Sequence, residues 1–246
     1  MTLDGKRILV IGGGSGIGFA VAEGAVREGA RVTVASSNAQ NVGAAAARLG
    51  GGAEAAALDV TDEAAVAAFF KDAGGFDHIA TTAGDWDAPR RGALGELDLA
   101  AAAGLFRVRF WGALAVAKHG AAALPPGGSL TLTDGMIAHR PAKGSAVSTA
   151  MAGAIEHLTR GLAVELAPVR VNCVCPGFIR TGVWDRFMPD EAQRQAEFAR
   201  RTERQLVPRI GEPAEVAEAY LYLMRGGYTT GQVLQVDGGS LLGLGA

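Results

Sequence analysis

The chain has 246 residues, 49% of them hydrophobic, and its 23 Lys and Arg nearly balance its 25 Asp and Glu. That length buries a sizeable core without splitting, so one domain over 1–246 is expected. Balanced charge leaves no broad basic field for nucleic acid or an anionic membrane. Apolar runs are interrupted by Gly or charge before the roughly 20 residues of a bilayer span, and the start lacks a signal-peptide pattern, so a cytoplasmic protein with a small-molecule ligand is expected.

In chain order, runs rich in Val, Ile and Leu at 7–11, 31–35, 54–58, 78–82, 129–133, 170–174 and 232–236 read as strands. They lack polar alternation, as strands covered on both faces do. Between them, 16–28, 62–72, 97–122, 145–167 and 213–224 read as Ala-rich helices. Thr61-Asp62-Glu63 supplies a cap and an acidic first turn, and Pro213 suits a first helical position. Strand and helix in alternation predict a doubly wound parallel sheet between helical layers, a three-layer α/β/α sandwich. The long irregular stretch 176–212, with a polar helical segment near 191–201, reads as a lid or substrate loop. Cys173 and Cys175 share one face of a strand as small hydrophobes, and His78, His119, His139 and His157 show no ligand spacing, so no metal is expected.

The first strand runs into Gly12-Gly13-Gly14-Ser15-Gly16-Ile17-Gly18 and then a helix. Glycine there lets the backbone approach a pyrophosphate while helix N–H groups point at it, the phosphate turn of a Rossmann fold. Ligands in such sheets sit beyond the strand C-termini, where Asp59-Val60, Thr81 to Gly84 and Pro176 to Thr181 also lie.

Together these segments resemble the short-chain dehydrogenase/reductase family over nearly the whole chain. Gly12, Gly16 and Gly18 match its glycine pattern; Asp59-Val60 resembles its adenine-side pair, Thr81-Thr82-Ala83-Gly84 its Asn-Asn-Ala-Gly strand end, and Pro176-Gly177-Phe178-Ile179-Arg180-Thr181 its nicotinamide-side loop. The ending from Thr230 to Gly239 is similar too, whereas Ile11 and the two threonines depart from the family's Thr and Asn. The resemblance implies a nucleotide site at Gly12, Gly14, Ser15, Gly16, Ile17, Gly18, Ser36, Ser37, Asp59, Val60, Thr82, Ala83, Gly84, Pro176, Gly177, Ile179 and Thr181. An acidic residue ending the second strand would select NAD; Ala35-Ser36-Ser37-Asn38 favours NADP over NAD, although no Arg or Lys stands ready for the phosphate.

The catalytic positions depart most. In the resembling family a tyrosine exchanges a proton with the substrate oxygen, a lysine four residues on lowers its pKa, a serine orients the carbonyl and an asparagine supports a water relay. Here the tyrosine position is Ser148, the lysine position Ala152, the serine position Asp134 or Gly135, and the asparagine position Arg109. Ser148 is far less acidic than a phenol of pKa about 10. Arg109 and Asp134 are expected to form an ion pair beneath the pocket. His139, after the fifth strand, is the remaining candidate proton donor, with Lys143 a solvated loop charge.

Three functions stay open. They are an NADP(H)-dependent oxidoreductase for a carbonyl or alcohol with a non-standard proton relay, a non-redox enzyme (elimination, isomerisation or cyclisation) on the same scaffold, and a catalytically inactive nucleotide-binding homologue. Trp86, Trp184, Phe187 and Met188 would wall an apolar pocket. The resemblance implies a homo-oligomer, a tetramer before a dimer, through 97–122 and 145–167, and the apolar Leu241, Leu242 and Leu244 would pack on a neighbour or back on the lid.

Overall fold

A computed structural model describes residues 2–84 and 92–242. Seven strands pair in parallel in the order β3-β2-β1-β4-β5-β6-β7. They are β1 Arg7–Ile11, β2 Arg31–Ser36, β3 Glu54–Ala57, β4 His78–Thr81, β5 Ser129–Thr133, β6 Arg170–Pro176 and β7 Val233–Val236. The chain winds outward from β1 to one edge, then restarts at β4 on its other side. That reversal opens a crevice at the C-terminal ends of β1 and β4.

Helices cover both faces: α1 Gly16–Arg27, α2 Ala39–Leu49, α3 Glu63–Asp72, α4 Leu99–Ala103, α5 Ala113–Gly120, α6 Ala146–Glu165, α7 Val183–Phe187, α8 Glu191–Thr202 and α9 Pro213–Arg225. Ile8, Val10 and Val34 point to one core with Val21 of α1 and Tyr220 and Leu221 of α9. Leu9, Ile11 and Leu132 point to the other with Val66 of α3, Val116 of α5 and Ile155 of α6. Alternate residues of β1 thus enter opposite cores, and Ile8 to Ile11 are at most 1% exposed. At the foot of β6, buried Arg170 donates to the carbonyls of Leu223 (2.6 Å) and Met224 (3.0 Å), which end α9. A cation on otherwise unmatched helix carbonyls ties α9 to the sheet, each such bond contributing about 1.5–3 kcal/mol.

Two elements differ from the expectation. The helix α2 has no counterpart among the predicted elements; Asn38 starts it by accepting the Asn41 N–H at 2.9 Å, and Val42, Ala45, Ala46 and Leu49 form a narrow stripe that packs into the core. The predicted helix over 97–122 is segmented, because α4 passes through a tight 3-10 turn at Gly104–Phe106 into a π-helical segment at Arg107–Gly112 before α5. A π-segment rotates the side chains it carries and marks functional positions. The whole stretch Leu99–Ala123, 25 residues, is also long and apolar enough to cross a membrane, which corrects the expected lack of any such segment. Here Leu105, Ala113, Val116 and Ala117 bury its inner face against the sheet.

Candidate functional site

At the end of β1 the chain turns through Gly12 at φ 87°. The turn is pinned by Thr82, whose N–H (2.8 Å) and hydroxyl (3.2 Å) both donate to the Ile11 carbonyl. Glycine is needed for contact as well as conformation: a Cβ at Gly12 would lie 2.6 Å from the Ala83 nitrogen, one at Gly14 2.7 Å from Asn41 Nδ2, and one at Gly18 2.3 Å from the Gly12 oxygen. Ser15 precedes α1 without a side-chain cap bond, which leaves the first-turn N–H groups for a ligand. Ser15 to Gly18 form one wall of a cavity of about 630 Å³. A cradle that excludes side chains and ends on an uncapped helix terminus fits a dinucleotide pyrophosphate.

The cavity continues past Thr82 and Thr133 to Pro176 at the end of β6 and Gly177, Ile179 and Thr181 beyond it, and is covered by Trp184 and Phe187 of α7 and Met188 just after it. The cover is built on aromatics: Trp184 Nε1 donates to the Ile179 carbonyl (2.8 Å), its ring meets Phe198 edge-on at 5.5 Å, and the Arg201 guanidinium lies over Phe178 and Trp184. Trp86 lies outside the described residues, as does Leu244.

The other predicted nucleotide residues have structural partners. Asp59 is exposed and accepts from the Thr61 N–H (2.9 Å) and hydroxyl (2.8 Å), so its carboxylate braces the turn into α3. Val60 is buried against Gly112, and neither residue lines the large cavity. At the end of β2 the Ser36 hydroxyl accepts the Asn38 N–H (3.3 Å), while Ser37 is exposed. Gly84 meets Arg109, since a Cβ there would lie 2.8 Å from Nε.

Of the four catalytic candidates, only Arg109 lines the large cavity among the described residues. Its Nη1 donates to the main-chain carbonyl of Asp134 at 2.8 Å. The expected side-chain ion pair is therefore replaced by a main-chain contact. The carboxyl of Asp134, just past β5, faces α6 and β6, where Glu156 and Cys175 stand. Burial lowers the Arg109 guanidinium from its ordinary range, and the Asp134 charge pulls it back. Burial first, then Glu156, pushes the Asp134 carboxyl up to about 7.

Ser148 is half-buried on α6, and Ala152, one turn on, is 1% exposed. Glu156, a further turn along, was not singled out in the sequence. It is 5% exposed, and its Oε1 lies 2.5 Å from His139 Nε2. Its signal was present in the spacing: 148, 152 and 156 fall on one helical face, the face the catalytic positions were expected to occupy. Four potential metal ligands that show no sequence spacing, Asp134, His139, Glu156 and Cys175, thus come together in the fold.

A parallel sheet in this order, with a glycine cradle at the end of its first strand, defines a Rossmann-type dinucleotide fold. Residues 12–240 match the family described as enoyl-(acyl carrier protein) reductase. The chain is 36% identical to the short-chain dehydrogenase/reductase ucsE of an Acremonium species, over 98% of this chain and 97% of that one. Among solved structures, a small-chain dehydrogenase in complex with NADPH is 38% identical with a TM-score of 0.83, covering 98% of this chain and 100% of that one. The MalC reductase/Diels-Alderase of Malbranchea aurantiaca is 33% identical with a TM-score of 0.89, covering 98% of both. The chain belongs to the short-chain dehydrogenase/reductase family and is an oxidoreductase of that family.

Proposed function

We propose that this protein uses NADP(H) to reduce a carbonyl compound, or oxidise the matching alcohol, with a proton relay that differs from its family's. The observation that carries the reading is the intact glycine cradle opening into an apolar, lidded cavity with the Arg109 guanidinium in its wall and Arg201 in its cover. On this reading Gly12 to Gly18 hold the pyrophosphate, Thr82 to Gly84 and Asp59-Val60 stand on the adenine side, and Pro176 to Thr181 stand on the nicotinamide side. The NADPH-bound relative and the missing acid at Ser36-Ser37 support NADP over NAD. Bound NADPH supplies a hydride. Arg109 offers its guanidinium where a carbonyl oxygen would gain charge, and fixed donors at such a point commonly contribute 10²–10³-fold to rate. Mixing the protein with NADPH and a panel of apolar ketones, aldehydes and imines tests this. Loss of absorbance at 340 nm with at least one is expected, and none with any would overturn the reading.

A second reading, non-redox chemistry in the same cleft, draws on the paired reductase and Diels-Alderase names of MalC and on Ala152, which offers no polar atom. It predicts conversion of a substrate without change at 340 nm. For assembly we propose a homo-oligomer through the outer faces of α4, the π-helical segment and α6, where Leu99 (75%), Trp111 (58%) and Val164 (82%) stand exposed. Light scattering on a sizing column should give a multiple of 25.1 kDa, and the monomer mass for Trp111→Glu. A monomeric unsubstituted protein would contradict the assembly.

A further inference from the structure

The cavity has a cation in its cover as well as in its wall. Arg201 and Arg109 both line it, and every other described lining residue is apolar, hydroxyl-bearing or glycine, so no carboxylate balances the two charges there. A mostly apolar space with two guanidinium groups calls for an apolar ligand that carries negative charge.

Arg201 lies in the last turn of α8, where a basic side chain commonly answers the end carbonyls. Its neighbour Arg200 fits that plain role, with a side chain 69% exposed. Arg201 turns inward instead. Its side chain is 24% exposed, and its guanidinium lies 5.1 Å from the Phe178 ring centre and 5.4 Å from that of Trp184. The two arginines share one acid: Glu197 Oε2 accepts from Arg200 Nε at 2.8 Å, and Oε1 accepts from Arg200 Nη2 at 2.9 Å and also from Arg201 Nε. Arg200 first, and Arg201 after it, hold the Glu197 carboxyl down to about 2, so it stays ionised. One negative charge against two positive ones leaves a positive charge over.

The fork of Arg201 is set before any ligand arrives. Glu197 holds Nε, two aromatic rings bear on the guanidinium, and the one hydrogen bond described for the side chain leaves from Nε. Nη1 and Nη2 remain for a ligand with a planar pair of acceptor oxygens.

We propose that Arg201 is a specificity-determining residue that makes this a site for carboxylate-bearing substrates: an apolar carbonyl compound whose carboxylate meets the fork in the cover while its carbonyl oxygen meets Arg109 in the wall. The proposal rests on the NADP(H) reading above and adds the charge of the substrate. Trp184, Phe187 and Met188 pack on the apolar body between the two ends. A phosphate of the dinucleotide offers the same oxyanion chemistry, and two observations favour the carboxylate. The uncapped first turn of α1 already provides donors for the phosphates, and Arg201 stands on Phe178 and Trp184, on the side assigned to the nicotinamide.

Calorimetric titration of the NADPH-loaded protein with 4-phenylbutyrate, and with 4-phenylbutanamide as its neutral counterpart, tests the proposal. The acid should bind about tenfold more tightly than the amide, or better. Arg201→Met keeps an apolar stem on the rings and removes the fork, so it should erase that preference while the amide and NADPH affinities move by less than about threefold. Arg201→Lys keeps the charge without the fork and should restore only part of the preference. In turnover, kcat/KM should favour 4-phenyl-2-oxobutanoate over its methyl ester, and the ratio should collapse in Arg201→Met. Equal affinity for acid and amide in the unsubstituted protein would overturn the proposal, and that comparison needs no variant to fold. A preference retained in Arg201→Met would overturn it too, as would a matching loss of NADPH affinity, which would give the arginine to the dinucleotide phosphates. If NADPH does not bind or no carbonyl compound is reduced, the NADP(H) reading fails, while acid against amide on the free protein still decides whether the fork holds a carboxylate.

Discussion

Gly18→Ala is expected to weaken NADPH binding by at least 100-fold, or about 2.7 kcal/mol. The added Cβ would sit 2.3 Å from the Gly12 carbonyl oxygen and 2.4 Å from Thr82 Oγ1, contacts that force the turn away from β4. The same contacts join β1 to β4, so the variant should also lose stability. Gly16→Val separates the two effects. Gly16 lines the cavity at φ 54°, and its Cβ would meet only Thr181, at 3.3 Å. Valine there intrudes on the ligand's space more than on the fold, at the cost of backbone strain. Equilibrium titration of nicotinamide fluorescence, with far-UV circular dichroism as the control for folding, reads both variants. Unchanged affinity in a folded Gly16→Val protein would mean that the cradle does not hold the nucleotide.

Arg109→Leu carries the second large effect. Its guanidinium lies in the cavity wall, fixed by the Asp134 carbonyl at 2.8 Å and packed against Gly84. If it meets the substrate oxygen as charge develops, kcat/KM should fall by about 10²–10³-fold, with the dissociation constant for NADPH shifting far less. Arg109→Lys keeps the charge but loses the planar fork, so it should recover only part of the rate. Equal losses in NADPH affinity and in rate would place Arg109 on the cofactor and remove its assignment to the substrate oxygen.

Much of the fold was legible because the strands are apolar on both faces. An unbroken run such as Ile8 to Ile11 marks a central parallel strand with little ambiguity, and the glycine turn follows it directly. Boundaries shifted by a residue or two: β4 ends at Thr81, freeing Thr82 to pin the turn, and β6 runs on to Pro176. The helix α2 escaped because half of its inward stripe, Val42, Ala45, Ala46 and Leu49, is alanine, and further alanines on the exposed face blur the period. The break at Arg107–Gly112 escaped because a π-segment depends on tertiary packing rather than on local preference.

The site was legible in part for a different reason. Glycine positions show their function through what a side chain would strike, and spacing conveys that. Polar contacts in the interior depend on which way a side chain leaves the backbone. An ion pair was expected between Arg109 and Asp134, whereas the contact runs through the carbonyl of Asp134 while its carboxyl turns to α6. Glu156, one acid on an amphipathic helix, reads as solvent-facing until the fold buries it beside Asp134.

The most direct test of the retained nucleotide site is a paired titration of the protein with NADPH and NADH, read by nicotinamide fluorescence and by quenching of Trp184, which lines the cavity. Saturable binding of one NADPH per chain is predicted, with NADH about tenfold weaker or more. Binding of neither nucleotide at millimolar concentration would contradict the account.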